Sequence, residues 1–269
     1  MNTATSPEEC VRAGNLAQAL QDLQSRVRSH PADAKDRVFL FQLLALVGQW
    51  DRALTQLDVA GDLDASTLVL RQMYRQALEG EAARRSVFDT GTAPVVLGEP
   101  AAWMAELLEA LRLTAQGHFE KAAELRTQAL AAAPTSAGSI DGQPFEWIAD
   151  ADSRLGPCLE IILDGKYMWA PFDRMQSIRM EAPTDLRDMV WTQAIVTWRN
   201  GGRSPVLIPT RYAGVDASQD STLLMARRTD WQEKPCETYL GAGQRMLATD
   251  AGEYPLLEIR ELVFEPTDG

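Results

Sequence analysis

Three segments of the chain repeat one pattern: Gly14-Asn-Leu-Ala-Gln-Ala19, Gly48-Gln-Trp-Asp-Arg-Ala53 and Gly117-His-Phe-Glu-Lys-Ala122. Each reads glycine, a polar residue, a large apolar residue, two further residues and alanine. Gly14 and Gly48 lie 34 residues apart, and Gly48 and Gly117 lie 69 apart, close to two such intervals. An interval of about 34 residues is that of tetratricopeptide helical hairpins. Glycine ends the first helix of a hairpin at little steric cost. The apolar residue two positions later packs back across the turn. The alanine lies where two helices cross closely, and a larger side chain would separate them. Pro31 and Pro134 each follow a repeat glycine by 17 positions and stop the second helix.

Helices are therefore predicted near 15–29, 34–47, 51–60, 65–79, 100–116 and 119–132. An earlier helix begins before these at Ser6-Pro-Glu-Glu9: Ser6 caps, Pro7 takes the first helical position, and Glu9 completes a capping box. The stretch 80–98 fits the repeat least. It reads as a short helix at Ala82 to Phe88 followed by the loop Thr90-Gly-Thr-Ala-Pro94. Phe41 and Glu109 depart from the tetratricopeptide pattern, and the first repeat has little of its first helix. So short an array needs a cap.

After Pro134-Thr-Ser-Ala-Gly138 the texture changes to aromatics, β-branched residues and turn dipeptides. Leu159 to Leu163, Asp164-Gly165 and Lys166 to Ala170 read as a two-residue-turn hairpin. Trp191 to Trp198 alternates and ends at Asn200-Gly201-Gly202. Ser204 to Pro209, Leu223 to Ala226 and Leu256 to Phe264 are further strand candidates. Thr184 to Val190 reads as a short helix, and Gly241-Ala-Gly243 as a turn. The expected fold is α+β: a tetratricopeptide-like domain over 1–138, then a mainly antiparallel β domain with little helix over 139–269.

The 269-residue chain is 45% apolar and 24% charged, the balance of a globular protein. No apolar run approaches the ~20 residues that span a bilayer, and the N-terminus lacks a secretory pattern, so no membrane partner is expected. Net charge is −12. Residues 1–138 carry 13 Lys and Arg against 17 Asp and Glu, and residues 139–269 carry 13 against 21. Both parts are acidic, which argues against nucleic acid and suits a basic or amphipathic peptide. Cys10, Cys158 and Cys236 form neither a disulfide framework nor a zinc motif and read as free thiols in a reducing compartment. With only His30 and His118, a histidine metal site or catalytic triad is not expected.

Phe145-Glu-Trp-Ile-Ala-Asp-Ala-Asp-Ser-Arg-Leu-Gly-Pro157 resembles the ImpE family, also called SciE-type virulence proteins. Gly165-Lys-Tyr-Met-Trp-Ala-Pro171, Leu186-Arg-Asp-Met-Val-Trp191, Arg211-Tyr212, Arg228-Thr-Asp-Trp231 and Gly243-Gln244-Arg245 match in the same order. The resemblance covers nearly the whole chain. It implies an accessory component of type VI secretion in the cytoplasm of a Gram-negative bacterium. It also implies binding to the N-terminal helix of the small sheath subunit and a link to the sheath-recycling AAA+ ATPase. It brings no catalytic residue and no cofactor.

The candidate site residues follow from chemistry. Asp150, Asp152 and Glu160 could ligate a hard cation as a metal-dependent hydrolase would, but Arg154 competes for them, and an arginine–carboxylate network is favoured. Arg154, Arg187, Arg211, Arg228 and Arg245 sit beside acids or aromatics, among them Asp230. They either lock loops or, with Gln244, line a polar pocket. Trp147, Tyr167, Trp169, Trp191, Trp198, Tyr212 and Trp231 are mostly expected in the core, and one or two exposed beside arginine would make a binding hot spot. Lys35, Val38, Gln42 and Ala45 before Gly48, and Met104, Leu107, Leu111 and Thr114 before Gly117, would line the inner face of the helical array. That face would either hold an amphipathic helix, with an acidic rim attracting its basic residues, or pack on the β domain. A scaffold for a different partner is the remaining alternative.

Overall fold

The computed structural model describes residues 6–266. Seven α-helices come first: α1 (Pro7–Arg12), α2 (Leu16–Ser29), α3 (Ala34–Leu46), α4 (Trp50–Leu63), α5 (Leu68–Thr90), α6 (Ala102–Ala115) and α7 (Phe119–Ala132). Between α5 and α6 lies β1 (Val95–Val96). The rest is chiefly strand: β2 (Gly138–Ile140), β3 (Gln143–Phe145), β4 (Ile148–Asp150), β5 (Cys158–Leu163), β6 (Lys166–Pro171), β7 (Met175–Met180), β8 (Trp191–Trp198) and β9 (Arg203–Pro209). A short helix α8 (Ser221–Leu224) precedes β10 (Thr229–Lys234), β11 (Thr238–Gly243), β12 (Met246–Thr249), β13 (Glu253–Pro255) and β14 (Glu261–Phe264).

The three repeat glycines close their hairpins identically. Gly14, Gly48 and Gly117 have φ of +82°, +70° and +80°. Their N–H groups donate to Val11, Ala45 and Thr114, and the N–H of each following residue reaches back to Cys10, Leu44 and Leu113. This is the Schellman closure, which satisfies carbonyls that a helix end would otherwise leave open. Ala19, Ala53 and Ala122 are each completely buried at the crossings. Ser6 and Glu9 exchange both bonds of the capping box.

One helix was not legible as such. The chain predicted as two helices with a break near residue 80 is a single 23-residue α5. Gly80 does not end it. A Cβ there would meet Ile162 Cδ1 of β5 at 3.0 Å, so the glycine lets the helix lie close against the sheet. Glu81 and Arg84 also point inward, which hides the apolar stripe.

Nine strands pair in the order β1-β6-β5-β9-β8-β7-β14-β2-β3, with β10-β11 and β13-β12-β4 as smaller sheets. All pairings are antiparallel except β1 with β6. Alternation along the strands separates two cores. Leu159 and Ile161 of β5 and Met168 and Ala170 of β6 face one core with Ile178, Val196, Ile208, Leu247 and Leu262. Cys158 and Ile162, with Tyr167 and Trp169, face the other, where they meet Phe41, Tyr74, Phe88, Met104 and Leu107 from the helices.

Four local readings need correction. Leu223 to Ala226 is not a strand; Leu223 lies in α8, whose first turn is capped by the Asp220 carboxylate accepting from Thr222 N at 2.8 Å. Gly241 lies in β11 rather than a turn, because the Tyr212 ring occupies the space a Cβ would need. Leu256 to Phe264 is a 3-10 turn (Leu256–Glu258) followed by the shorter β14. Thr184 to Val190 contains only the 3-10 turn Leu186–Met189.

Candidate functional site

Because β5 alternates, Glu160 falls on its helix-facing side opposite Trp169 of β6. It is fully buried. Arg84 of α5 donates to it through Nε at 2.7 Å and Nη2 at 3.2 Å. Arg245, just before β12, donates to it through Nη2 and to Asp150 Oδ2 through Nη1. The Tyr167 hydroxyl donates to Glu160 Oε1 at 2.5 Å and accepts from Trp169 Nε1 at 2.7 Å. On the helix, Glu81 takes the Trp191 indole N–H at 2.9 Å. On the sheet side Asp150 Oδ1 accepts from the Tyr212 hydroxyl at 3.0 Å and from Asp152 N at 2.9 Å. Asp152 is gripped by Arg154 through Nε at 2.8 Å and Nη2 at 2.6 Å, and by Gly241 N at 2.7 Å. The Arg154 guanidinium lies 4.7 Å from the centre of the Phe88 ring.

The electrostatics follow from who pairs with whom. Burial pushes the Glu160 carboxyl up, but the guanidinium charges of Arg84 and Arg245 outweigh it and hold its pKa at about 2. Asp150 shares only Arg245 and has Asp152 as a neighbour; burial dominates and raises it to about 6. Arg84 and Arg245 are raised, since the adjacent carboxylates outweigh their own burial. The carboxylate oxygens that a cation would use are thus taken by arginine, tyrosine and backbone donors. Among the described residues no group of three His, Cys, Asp or Glu side chains is placed so that it could hold a metal ion. The arrangement ties α5 to β4, β5 and the 150–154 loop.

A second feature is open. The inner face of α3 borders a groove of about 740 Å³ that runs from α1 and α2 to the turn around residues 183–189. Val11, Val38, Phe39, Leu186, Met189 and Met225 give it apolar walls. Its rim carries Glu8, Asp36 and Asp185 but also Arg12, Arg26, Lys35 and Arg227. The expected acidic rim is therefore a rim of both signs. Lys35 is exposed, Val38 is half-buried and Gln42 is 7% exposed, so this face of α3 becomes more covered toward the end of the helix. The corresponding face of α6 is closed: Met104, Leu107 and Leu111 are at most 2% exposed, in the core shared with β5 and β6.

Comparison with known proteins gives this geometry a family. The ImpE protein model matches residues 142–263. A curated relative from Pseudomonas aeruginosa, the type VI secretion system accessory component TagJ, is 51% identical over 261 residues, covering 97% of this chain and 92% of its own. This chain belongs to the ImpE family. The crystal structure of protein VPA1032 from Vibrio parahaemolyticus has the same fold, with a TM-score of 0.87 over 96% of this chain and 97% of that one at 23% identity.

The ImpE match contains Asp150, Asp152, Arg154, Glu160, Tyr167, Trp169, Tyr212 and Arg245, which the fold brings together in one buried cluster. Trp191 joins it through Glu81. Six candidates, Arg187, Arg228, Asp230, Trp231, Trp147 and Gln244, stand apart from it. Arg187 pairs with Asp185 at 2.5 Å and lies over the Tyr74 ring. Arg228 holds Asp220 and Asp230 at 2.8 Å each. Trp231 is 37% exposed against Tyr212, and Trp147 is 42% exposed near Asp250. Gln244 bridges backbone groups of Ala226 and Leu257. Sequence reasoning missed Glu81 and Arg84, which lie outside the motif-bearing half. The available signal was an acid–base pair three apart on a helix whose neighbours, Ala77, Leu78 and Phe88, are apolar.

Proposed function

We propose that this chain is a non-enzymatic accessory protein of type VI secretion, acting in the cytoplasm as an adaptor that holds a partner's amphipathic helix. The carrying observation is the open groove beside α3, apolar inside and charged at the rim, in a chain 51% identical to a type VI accessory component. Helix-in-groove recognition needs apolar anchors at helical spacing and a polar border. Val38 and Phe39 supply apolar surface that is only half-covered. The buried carboxylates favour this reading over hydrolysis, since each is engaged by guanidinium donors. The proposed ligand is the N-terminal helix of the small sheath subunit, with the sheath-recycling AAA+ ATPase as a linked partner. No helix among the described residues is long and apolar enough to cross a membrane.

The test is a fluorescence-anisotropy titration of the labelled sheath-subunit peptide against the full chain. Saturation below about 100 μM, corresponding to more than about 5.5 kcal/mol of binding free energy, supports the reading. The Val38→Asp variant should keep the fold and weaken binding at least about tenfold, because it places a charge on an apolar wall. Absence of binding at that concentration, or an unaffected variant, contradicts it.

A further inference from the structure

A separate cavity of about 390 Å³ lies between the α3–α4 turn, α5 and the 211–217 segment. Its lining includes Trp50, Arg84, Arg85, Arg211, Val190 and Val215. Arg211 is 3% exposed. Its Nη1 donates to the carbonyls of Leu46 at 2.7 Å and Leu224 at 2.6 Å, the final residues of α3 and α8. Those helix C-termini offer partial negative charge. Its Nε and Nη2 have no acceptor among the described residues, and neither is sealed from solvent, so that edge of the guanidinium opens on the cavity. Unlike Arg84, Arg154 and Arg245, Arg211 makes no salt bridge among the described residues. Burial lowers its pKa only to about 10, so it stays charged at neutral pH.

Three carboxylates line the cavity: Glu81 is committed to Arg84 and Trp191, Asp216 to Arg85 at 2.6 Å, and Asp89 is an exposed residue of α5 that lies in solvent. Arg84, the nearest other cation, spends its donors on Glu160, Glu81 and the Arg211 carbonyl. A nearly buried guanidinium with a free edge calls for an oxyanion with two oxygens that can take two parallel N–H bonds, as a carboxylate or a phosphate has. Trp50, Val190 and Val215 give apolar walls for the carbon part of such a molecule. The volume lies at the small end of ligand sites, roughly 300–1,000 Å³. With a net charge of −12, the chain as a whole repels anions, so one that binds does so at a specific place.

We infer that this cavity is a binding site for a small oxyanion, a carboxylate or a phosphate, held by the open edge of Arg211. The test is isothermal titration calorimetry of the full chain with inorganic phosphate and, separately, with succinate, at constant ionic strength. Saturable one-to-one binding of either supports the site, and the probe that binds tells whether its ligand is a phosphate or a carboxylate. Two variants bind at least about tenfold more weakly. Arg211→Lys loses the bidentate edge. Ala217→Glu puts a competing carboxylate on an exposed residue at the cavity mouth, outside the buried cluster. Should Arg211→Lys fail to fold by circular dichroism, Ala217→Glu decides alone. No saturable heat with either probe to about 10 mM overturns the inference. So does unchanged affinity in Ala217→Glu.

Discussion

Replacing Glu160 by Gln removes one charge and almost no volume, so its effect isolates the electrostatic tie between α5 and the sheet. Glu160 is wholly buried and accepts from Arg84, Arg245 and Tyr167. After substitution Arg84 keeps the Arg211 carbonyl and the more distant Glu81, and Arg245 keeps Asp150 and the Pro209 carbonyl. Two fully buried guanidinium groups then share less negative charge, and the new amide N–H₂ faces one of them. Breaking a buried pair from one side costs about 3–5 kcal/mol, most of it from the charge left behind. For a 269-residue chain the unfolding entropy is about 0.6 kcal/mol/K, so Tm should fall by about 5–9 °C. The assay is a thermal melt followed by circular dichroism at pH 7. The reference variant is Arg179→Ala, which breaks the exposed Arg179–Glu261 pair and should shift Tm by about 1 °C or less. A Glu160→Gln variant that melts with the wild type refutes the view that this network holds the two layers together.

Further outcomes follow from the same structure. The stability difference between wild type and Glu160→Gln should be full above pH 4.5 and close as pH falls toward 2, because the folded-state pKa lies below the ordinary value. Asp150, raised to about 6, acts with the opposite sign: its ionisation costs the wild type stability as pH rises from about 4 through 6, a loss that Asp150→Asn should not show in that window. In urea titrations Gly117→Ala should lose roughly 1–2 kcal/mol for its left-handed backbone alone, since nothing lies within 4 Å of the added carbon. Gly48→Ala should lose more, because its Cβ would clash with the Asp216 side chain. We also propose that residues 1–138 and 139–269 unfold together, since Tyr74, Phe88 and Met104 share a core with Tyr167, Trp169 and Trp191; far-UV and tryptophan-fluorescence transitions should coincide.

The helical hairpins were legible because their closure is local: a glycine with positive φ, a buried alanine and a following proline each act within one turn. The β5–β6 and β8–β9 hairpins were legible for the same reason, with Asp164-Gly165 and Asn200-Gly201 as turn signals. Sheet order was not, because the pairing of β14 between β7 and β2 joins residues far apart in the chain. Gly80 and Gly241 misled because each serves a close approach to a distant side chain, Ile162 and Tyr212, and local sequence carries no trace of that. The acid–arginine cluster could be foreseen on the sheet side from Asp150-Ala-Asp152-Ser-Arg154. Its other half, Glu81 and Arg84, depends on how α5 docks. Helical spacing places Lys35, Val38 and Gln42 on one face of α3, whereas the wall opposite them at Leu186, Met189 and Met225 comes from segments placed by the sheet.

Hydrogen–deuterium exchange of the full chain, with and without the sheath-subunit helix peptide, tests the adaptor reading most directly. The account predicts slowed exchange in 8–12, 35–42, 183–189 and 225–227, the segments that border the groove. Peptide binding with protection only elsewhere, or no change in any segment, would contradict it.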